Sequence, residues 1–186
     1  MIFVTVGTQL PFDRMIRAVD AWAARSGADM FAQIGPGEYT PRHARWTRTL
    51  PADECNALIR QAQLVVAHAG MGSILTALQC GKPIIVMPRR GSLGEHRNDH
   101  QVTTAKHFQE QGRIRVAFDD GELERELDDM GALRPTARIA SMASPALIGA
   151  LRSFIRDAAA DRSGRRLGID TEPMSQPLRP PVVARI

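Results

Sequence analysis

The chain has 186 residues, 44% of them hydrophobic, which is enough for one packed domain and a tail and is unlike a fibrous or disordered composition. Lys+Arg of 24 against Asp+Glu of 20 leaves a net charge of +4, with the basic residues interleaved among acids along most of the sequence. That balance suits an anionic small ligand or an acidic membrane surface and argues against nucleic acid, which calls for a clustered basic face.

Ile2 to Val6 is a β-rich run broken by Gly7-Thr8, and Asp13 then opens a helix with Met15, Ile16, Val19, Trp22 and Ala23 on one face. Met30 to Ile34 reads as a second strand ended by Gly35-Pro36-Gly37, and Ala44 to Leu50 as a poorer strand with Arg45 and Arg48 on its polar side. Pro51 suits the first turn of a helix through Gln61, with Leu58 and Ile59 inward. Leu64 to Ala67 is apolar, His68-Ala69-Gly70-Met71-Gly72-Ser73 turns the chain, and Ile74 to Cys80 reads as a helix stopped by Gly81-Lys82-Pro83. Ile84 to Met87 is the next strand, Pro88 to Arg97 a charged loop, and Asp99 to Gln111 a helix. Ile114 to Phe118 is a last strand, Asp120 to Met130 an acid-rich surface helix, and a helix from Ser144 to about Ala160 spaces Leu147, Leu151, Phe154 and Ile155 to pack back on the sheet.

This alternation predicts an α/β fold with a doubly wound, Rossmann-like parallel sheet in residues 1–160. Residues 161–186 are rich in Arg, Gly and Pro and are expected to be a disordered tail. Met1 to Gly7 lacks a basic leader region and no segment approaches the ~20 apolar residues of a membrane span, so a cytoplasmic protein is expected. Cys55 and Cys80 fall among apolar neighbours in helices, which suits buried thiols in a reducing compartment.

In an open sheet of this kind a ligand binds outside the carboxyl ends of the strands, which puts several loops on one side. Gly7 and Thr8 follow the first strand, where a missing side chain lets backbone amides and the Thr8 hydroxyl approach a diphosphate. His68, Gly70, Met71, Gly72 and Ser73 lie between a buried strand and a helix N-terminus, a ready anion site, with Ser73 doubling as an N-cap. Gly70-Met71-Gly72 is also a partial dinucleotide fingerprint with Leu75 in the third glycine position, and Arg89 and Arg90 after the next strand are placed for a 2′-phosphate, so an NADP-dependent oxidoreductase is a rival reading. His96 and His100 stand four apart, as metal ligands on one helical face do, but no third ligand is placed and His107 lies further on. Glu95 beside His96 is a candidate base with an orienting partner, or else pairs with Arg89, Arg90 or Arg97.

Taken together, Val4 to Gln9, His68 to Ser73, Gly81 to Arg89 and Glu95 to Gln101 resemble the nucleotide-sugar half of a glycosyltransferase family 28 enzyme, over residues 1 to about 155. The resemblance implies a single C-terminal-type half of a GT-B glycosyltransferase, similar to the small split enzymes of polysaccharide synthesis. A second, membrane-anchored subunit supplies their other half. It implies a UDP-sugar donor and a lipid-linked glycan acceptor in capsule or exopolysaccharide synthesis. The chain is then expected at the inner face of the cytoplasmic membrane, held there by its partner. On that basis Gly7 and Thr8 lie near the donor diphosphate, Gly70 to Ser73 bind phosphate, and His100 with Gln101 face the sugar hydroxyls. His68 opens the loop as in the relatives. Many of those carry a Glu at the place of Thr76, where it holds the ribose, and a neutral Thr loses the charge-assisted contacts worth roughly 1.5–3 kcal/mol each. The implied reaction is inverting transfer without metal or cofactor, with Glu95 or His96 as base unless the partner supplies it; a UDP-sugar-binding module inactive without its partner is the alternative.

Overall fold

A computed structural model describes residues 1–135, 138–140 and 142–165. The chain divides into two compact units, Met1–Ser141 and Met142–Ile186. The first is built on β1 (Ile2–Thr5), α1 (Asp13–Ser26), β2 (Met30–Gln33), β3 (Arg45–Thr47), α2 (Ala52–Gln61), β4 (Leu64–His68), α3 (Met71–Gln79), β5 (Ile84–Met87), α4 (His100–Glu110), β6 (Arg115–Val116) and α5 (Asp120–Asp128). All strand pairs are parallel, in the order β3-β2-β1-β4-β5-β6. The order reverses between β1 and β4, the topological switch point at which doubly wound sheets open a crevice.

Parallel sheets bury both faces, which is why the central strands read as continuous apolar runs and not as alternations. Ile2, Val4, Val66, Ile85 and Met87 pack with Met15, Ile16, Val19 and Trp22 of α1 and with Leu123 and Leu127 of α5. Phe3, Val65, Ala67, Ile84 and Val86 pack with Ile59 of α2, Ile74, Ala77 and Leu78 of α3 and Ala105 of α4. The sheet is therefore a middle layer, with α1 and α5 on one face and α2, α3 and α4 on the other.

Three elements differ from their sequence reading. The third strand shrinks to Arg45–Thr47, an edge strand with Trp46 exposed, and β6 to two residues. The acid-rich α5 lies on the surface as expected, burying only Leu123 and Leu127 against α1, and the Trp22 indole donates to Asp128 at 2.7 Å. At the chain turn that follows β4, α3 begins at Met71 and not at Ile74, so Gly70 is its N-cap and Ser73, inside the first turn, caps nothing.

In the second unit, α6 (Pro145–Arg165) continues past the expected end at Ala160, so residues 161–165 are helical and not tail. Leu147, Leu151, Phe154 and Ile155 lie on this helix. The remainder of the expected tail, residues 166–186, lies outside the described residues. No helix among the described residues is long and apolar enough to cross a membrane.

Candidate donor-binding cleft

At the switch point lies an open cleft of about 570 Å³, lined by the ends of β1 and β4 and by α2, α3 and the start of α4. Ten of the twelve residues singled out from sequence line it: Gly7, Thr8, His68, Gly70, Gly72, Ser73, Thr76, His96, His100 and Gln101. Met71 and Glu95 do not. Met71 is 47% exposed.

The first turn of α3 leaves main-chain donors free. Among the described residues the backbone N–H groups of Met71, Gly72 and Ser73 have no main-chain acceptor, the first helical bond being Ile74 N–H to the Gly70 carbonyl. Three free donors and the positive end of the helix dipole converge there, an arrangement worth up to about 2 kcal/mol to a negative group by the dipole alone.

Facing this turn, the loop after β1 is held from two sides. The Gly7 N–H donates to Thr5 Oγ1 at 3.2 Å, so among the backbone amides of this loop that one is engaged within the chain. Thr5 in turn donates to Gln33 Oε1 at 2.7 Å, and Gln33 Nε2 donates to the carbonyls of Gly7 (2.9 Å) and Arg48 (3.0 Å). On the other side Arg89, 3% exposed, donates from Nη2 to Val6 O (2.8 Å) and Leu10 O (2.6 Å) and from Nε to Pro11 O (3.3 Å). Gln33 and Arg89 both line the cleft and were not singled out as donor-site residues from sequence; a polar side chain at the carboxyl end of a buried strand is the signal that marks them.

His68 explains two of the glycines. A Cβ on Gly70 would stand 2.1 Å from His68 Nε2 and one on Gly7 would stand 2.7 Å from His68 Cε1, so the imidazole is wedged between the two turns. Gly7 also has φ +77, which a side chain resists. Burial, together with the positive Arg89, pushes the His68 pKa down to about 4, partly opposed by the Thr5 backbone, so the ring is neutral near pH 7. Its Nδ1 and that of His96 are buried with no hydrogen-bond partner among the described residues.

His96 packs edge-on against His100, ring centroids 4.4 Å apart, while His100 Nδ1 meets Asn98 Oδ1. Burial and the neighbouring His100, Arg89 and Arg97 lower the His96 pKa, which keeps it a proton acceptor. Gln101 is buried, with Oε1 accepting from Arg89 N–H at 3.1 Å, which leaves its amide nitrogen to meet a ligand. No group of three metal-ligating side chains occurs among the described residues; His107 instead contacts Gln111. Cys55 and Cys80 are free and half-buried, and burial raises the Cys55 thiol.

The role of base expected for Glu95 does not fit its surroundings. Its two oxygens take a bidentate pair from Arg14, at 2.6 Å (Nε) and 2.9 Å (Nη2), and Oε2 also accepts from Arg90 N–H at 2.9 Å. Arg14, not Arg89, Arg90 or Arg97, is therefore its ion-pair partner, and the pair fastens α1 to the loop that carries His96. A double-mutant cycle of Arg14→Ala and Glu95→Ala, followed by urea unfolding, is expected to return a coupling of about 1–3 kcal/mol. A cycle that closes to zero would show the clamp to be inert. The 2′-phosphate reading fails likewise, because Arg89 is spent on carbonyls and Arg90 Nη2 donates to Phe118 O at 2.6 Å.

A Rossmann-type sheet with a free-amide turn at its switch point is the architecture of a doubly wound domain suited to a phosphate-bearing ligand. The chain belongs to the glycosyltransferase family 28 C-terminal domain, whose profile matches residues 1–155. Among curated proteins it is similar to the UDP-N-acetylglucosamine transferase subunit ALG13 of Homo sapiens, 29% identical over 83% of this chain and 15% of that one. The Yarrowia lipolytica subunit of the same name is 25% identical over 64% of this chain and 65% of its own. The chain thus spans less than two thirds of these relatives. Among solved structures, an NMR structure of ALG13 superposes with a TM-score of 0.54 at 17% identity, covering 74% of this chain and 89% of that one. The glycotransferase of kitacinnamycin superposes at 0.53 and 20% identity, covering 88% of this chain and 42% of that one, which shows shared fold.

Proposed function

We propose that this chain is the donor-binding subunit of an inverting glycosyltransferase. It takes a UDP-sugar and, with a membrane-anchored partner subunit, transfers the sugar to a lipid-linked acceptor in capsule or exopolysaccharide synthesis. The carrying observation is the convergence in one cleft of the free N–H groups of Met71, Gly72 and Ser73 with the side chains of Thr8, His68, His96, His100 and Gln101. Family membership supports the same donor class, and the names of the curated relatives make UDP-N-acetylglucosamine the first sugar to test.

In this reading the acceptor hydroxyl attacks the anomeric carbon from the face opposite UDP. The new carbon–oxygen bond forms as the bond to the β-phosphate oxygen breaks, and UDP leaves with the electron pair. The negative charge growing on that oxygen meets the α3 amides, donors already in place and aimed at the position where it develops. His100 and Gln101 hold sugar hydroxyls, Thr8 the diphosphate and Thr76 the ribose. Neutral His96 accepts the acceptor's proton.

Titration of the purified chain with UDP and with the N-acetylglucosamine, glucose, galactose and glucuronate derivatives, read by ligand-observed NMR, tests the donor assignment. Binding of UDP is expected, with one sugar preferred; silence from every uridine ligand would refute it. A second reading, a binding module inactive alone, is favoured by the absence of a free carboxylate base at Glu95. UDP release by the isolated chain would exclude that version, whereas release only after the partner is added would establish it.

A further inference from the structure

Arg89 is a buried cation without a counterion. Among the described residues it forms no ion pair, and Glu95, whose charge reaches it, is already taken by Arg14. Its three hydrogen bonds go to the carbonyls of Val6, Leu10 and Pro11, and its backbone N–H to Gln101. Burial lowers its pKa to about 10, which still leaves it charged at pH 7. Taking an ion out of water costs several kcal/mol unless another charge or a full set of hydrogen bonds answers it. Here neutral carbonyls answer it in part, and Arg89, though only 3% exposed, is among the residues around the open cleft.

The three carbonyls matter as much as the charge. In a trans peptide the C=O and the following N–H point in opposite directions, but Leu10 is followed by Pro11, which has no N–H, and the Gly7 N–H after Val6 is taken by Thr5, so these carbonyls act through their own partial charge alone. Drawing the oxygens of Val6, Leu10 and Pro11 onto Arg89 keeps these partial negative charges away from the space an anion would enter. Gln33 does the same for the Gly7 carbonyl from the other side, which turns the Thr8 N–H away from Gln33. Lys at this position would keep the charge but not the planar fork that reaches several acceptors at once.

We propose that Arg89 is a positioning and specificity residue for the donor diphosphate: it holds the Val6–Pro11 turn with its carbonyls withdrawn and supplies the fixed positive charge beneath the phosphates. The inference rests on the UDP-sugar reading of the cleft, and it assigns the preference for a nucleoside diphosphate over the bare nucleoside to a residue outside the α3 turn.

The test uses the full chain with Arg89→Met and Arg89→Lys, measuring affinity for UDP and for uridine and following the His68 imidazole by NMR titration. In R89M the UDP affinity is expected to fall about 30-fold or more, the order expected on removing a unit charge from a partly buried contact, while uridine changes less than about 3-fold. The His68 pKa is expected to rise in R89M and to stay near its original value in R89K, which recovers part of the UDP preference. Equal losses for UDP and uridine, or none for either, would overturn the proposal. If R89M does not fold, R89K decides it: the preference for UDP over uridine survives there, and its disappearance would exclude the charge role. Absence of UDP binding by the unmutated chain would sink the donor reading instead, and the His68 shift would still report the field of Arg89.

Discussion

Replacing Gly72 with Trp is expected to weaken UDP binding at least ~100-fold while leaving the melting temperature unchanged or slightly raised. Gly72 is the second residue of α3, and a Cβ there meets nothing within 4 Å, because its open side is the cleft itself. Glycine in a helix costs roughly 0.5–1 kcal/mol relative to alanine, so Gly72→Ala should stabilise the chain by a few tenths to about 1 kcal/mol. On the donor reading its methyl would stand where the main chain approaches the phosphate, and the indole would fill that space. Gly70→Ala behaves differently: its Cβ meets His68 Nε2 at 2.1 Å, so the imidazole must leave or the turn must open, and stability falls along with affinity. Calorimetry with UDP and a thermal melt on the three variants separate the two glycines. If Gly72→Trp binds UDP as well as the parent does, the α3 turn is not the phosphate site. Loss of folding in that variant would contradict the open space the structure shows around Gly72.

The contrast between those glycines shows where sequence reading stops. Strand after strand of the central sheet was legible, because parallel strands buried on both faces read as unbroken apolar runs such as Leu64 to Ala67 and Ile84 to Met87. The short edge strands were overread, since Arg45–Thr47 and Arg115–Val116 have little burial to impose a pattern. The loops of the cleft were legible as glycine, serine and histidine at strand ends, and the spacing was right. Which groups in them remain free was not. The Thr5 hydroxyl takes the Gly7 amide two residues away, and the partner of Glu95 is Arg14, 81 positions earlier in the chain. No local pattern encodes a pair so distant in sequence. Ser73 was misassigned for a related reason: it is a favoured cap residue, but the helix starts at Met71, before it.

Acid is expected to destabilise this chain through His68, and a bound diphosphate to oppose it. The ring has a pKa of about 4 in the folded chain against 6.5 for the free side chain, because burial and Arg89 both disfavour the imidazolium. Above pH 6.5 neither state binds the proton and His68 makes no pH-dependent contribution. As the pH falls below that value the unfolded chain takes up a proton that the folded chain refuses, so stability drops until the folded pKa is reached. At pH 4.5 the loss from this one group is on the order of 2–3 kcal/mol, since each pKa unit of difference is worth about 1.4 kcal/mol. Urea unfolding at pH 7 and pH 4.5 is expected to show His68→Asn losing about that much less than the parent, the carboxylate contributions being common to both. Equal losses would mean that the ring is freely hydrated and that the wedge between Gly7 and Gly70 does not hold it. On the donor reading, a diphosphate against the α3 turn would offset Arg89, raise the His68 pKa and flatten the acid limb. Saturating UDP should therefore recover part of the loss in the parent beyond its effect at pH 7, and none of that extra part in His68→Asn, a difference that ties the titrating ring to the occupied cleft.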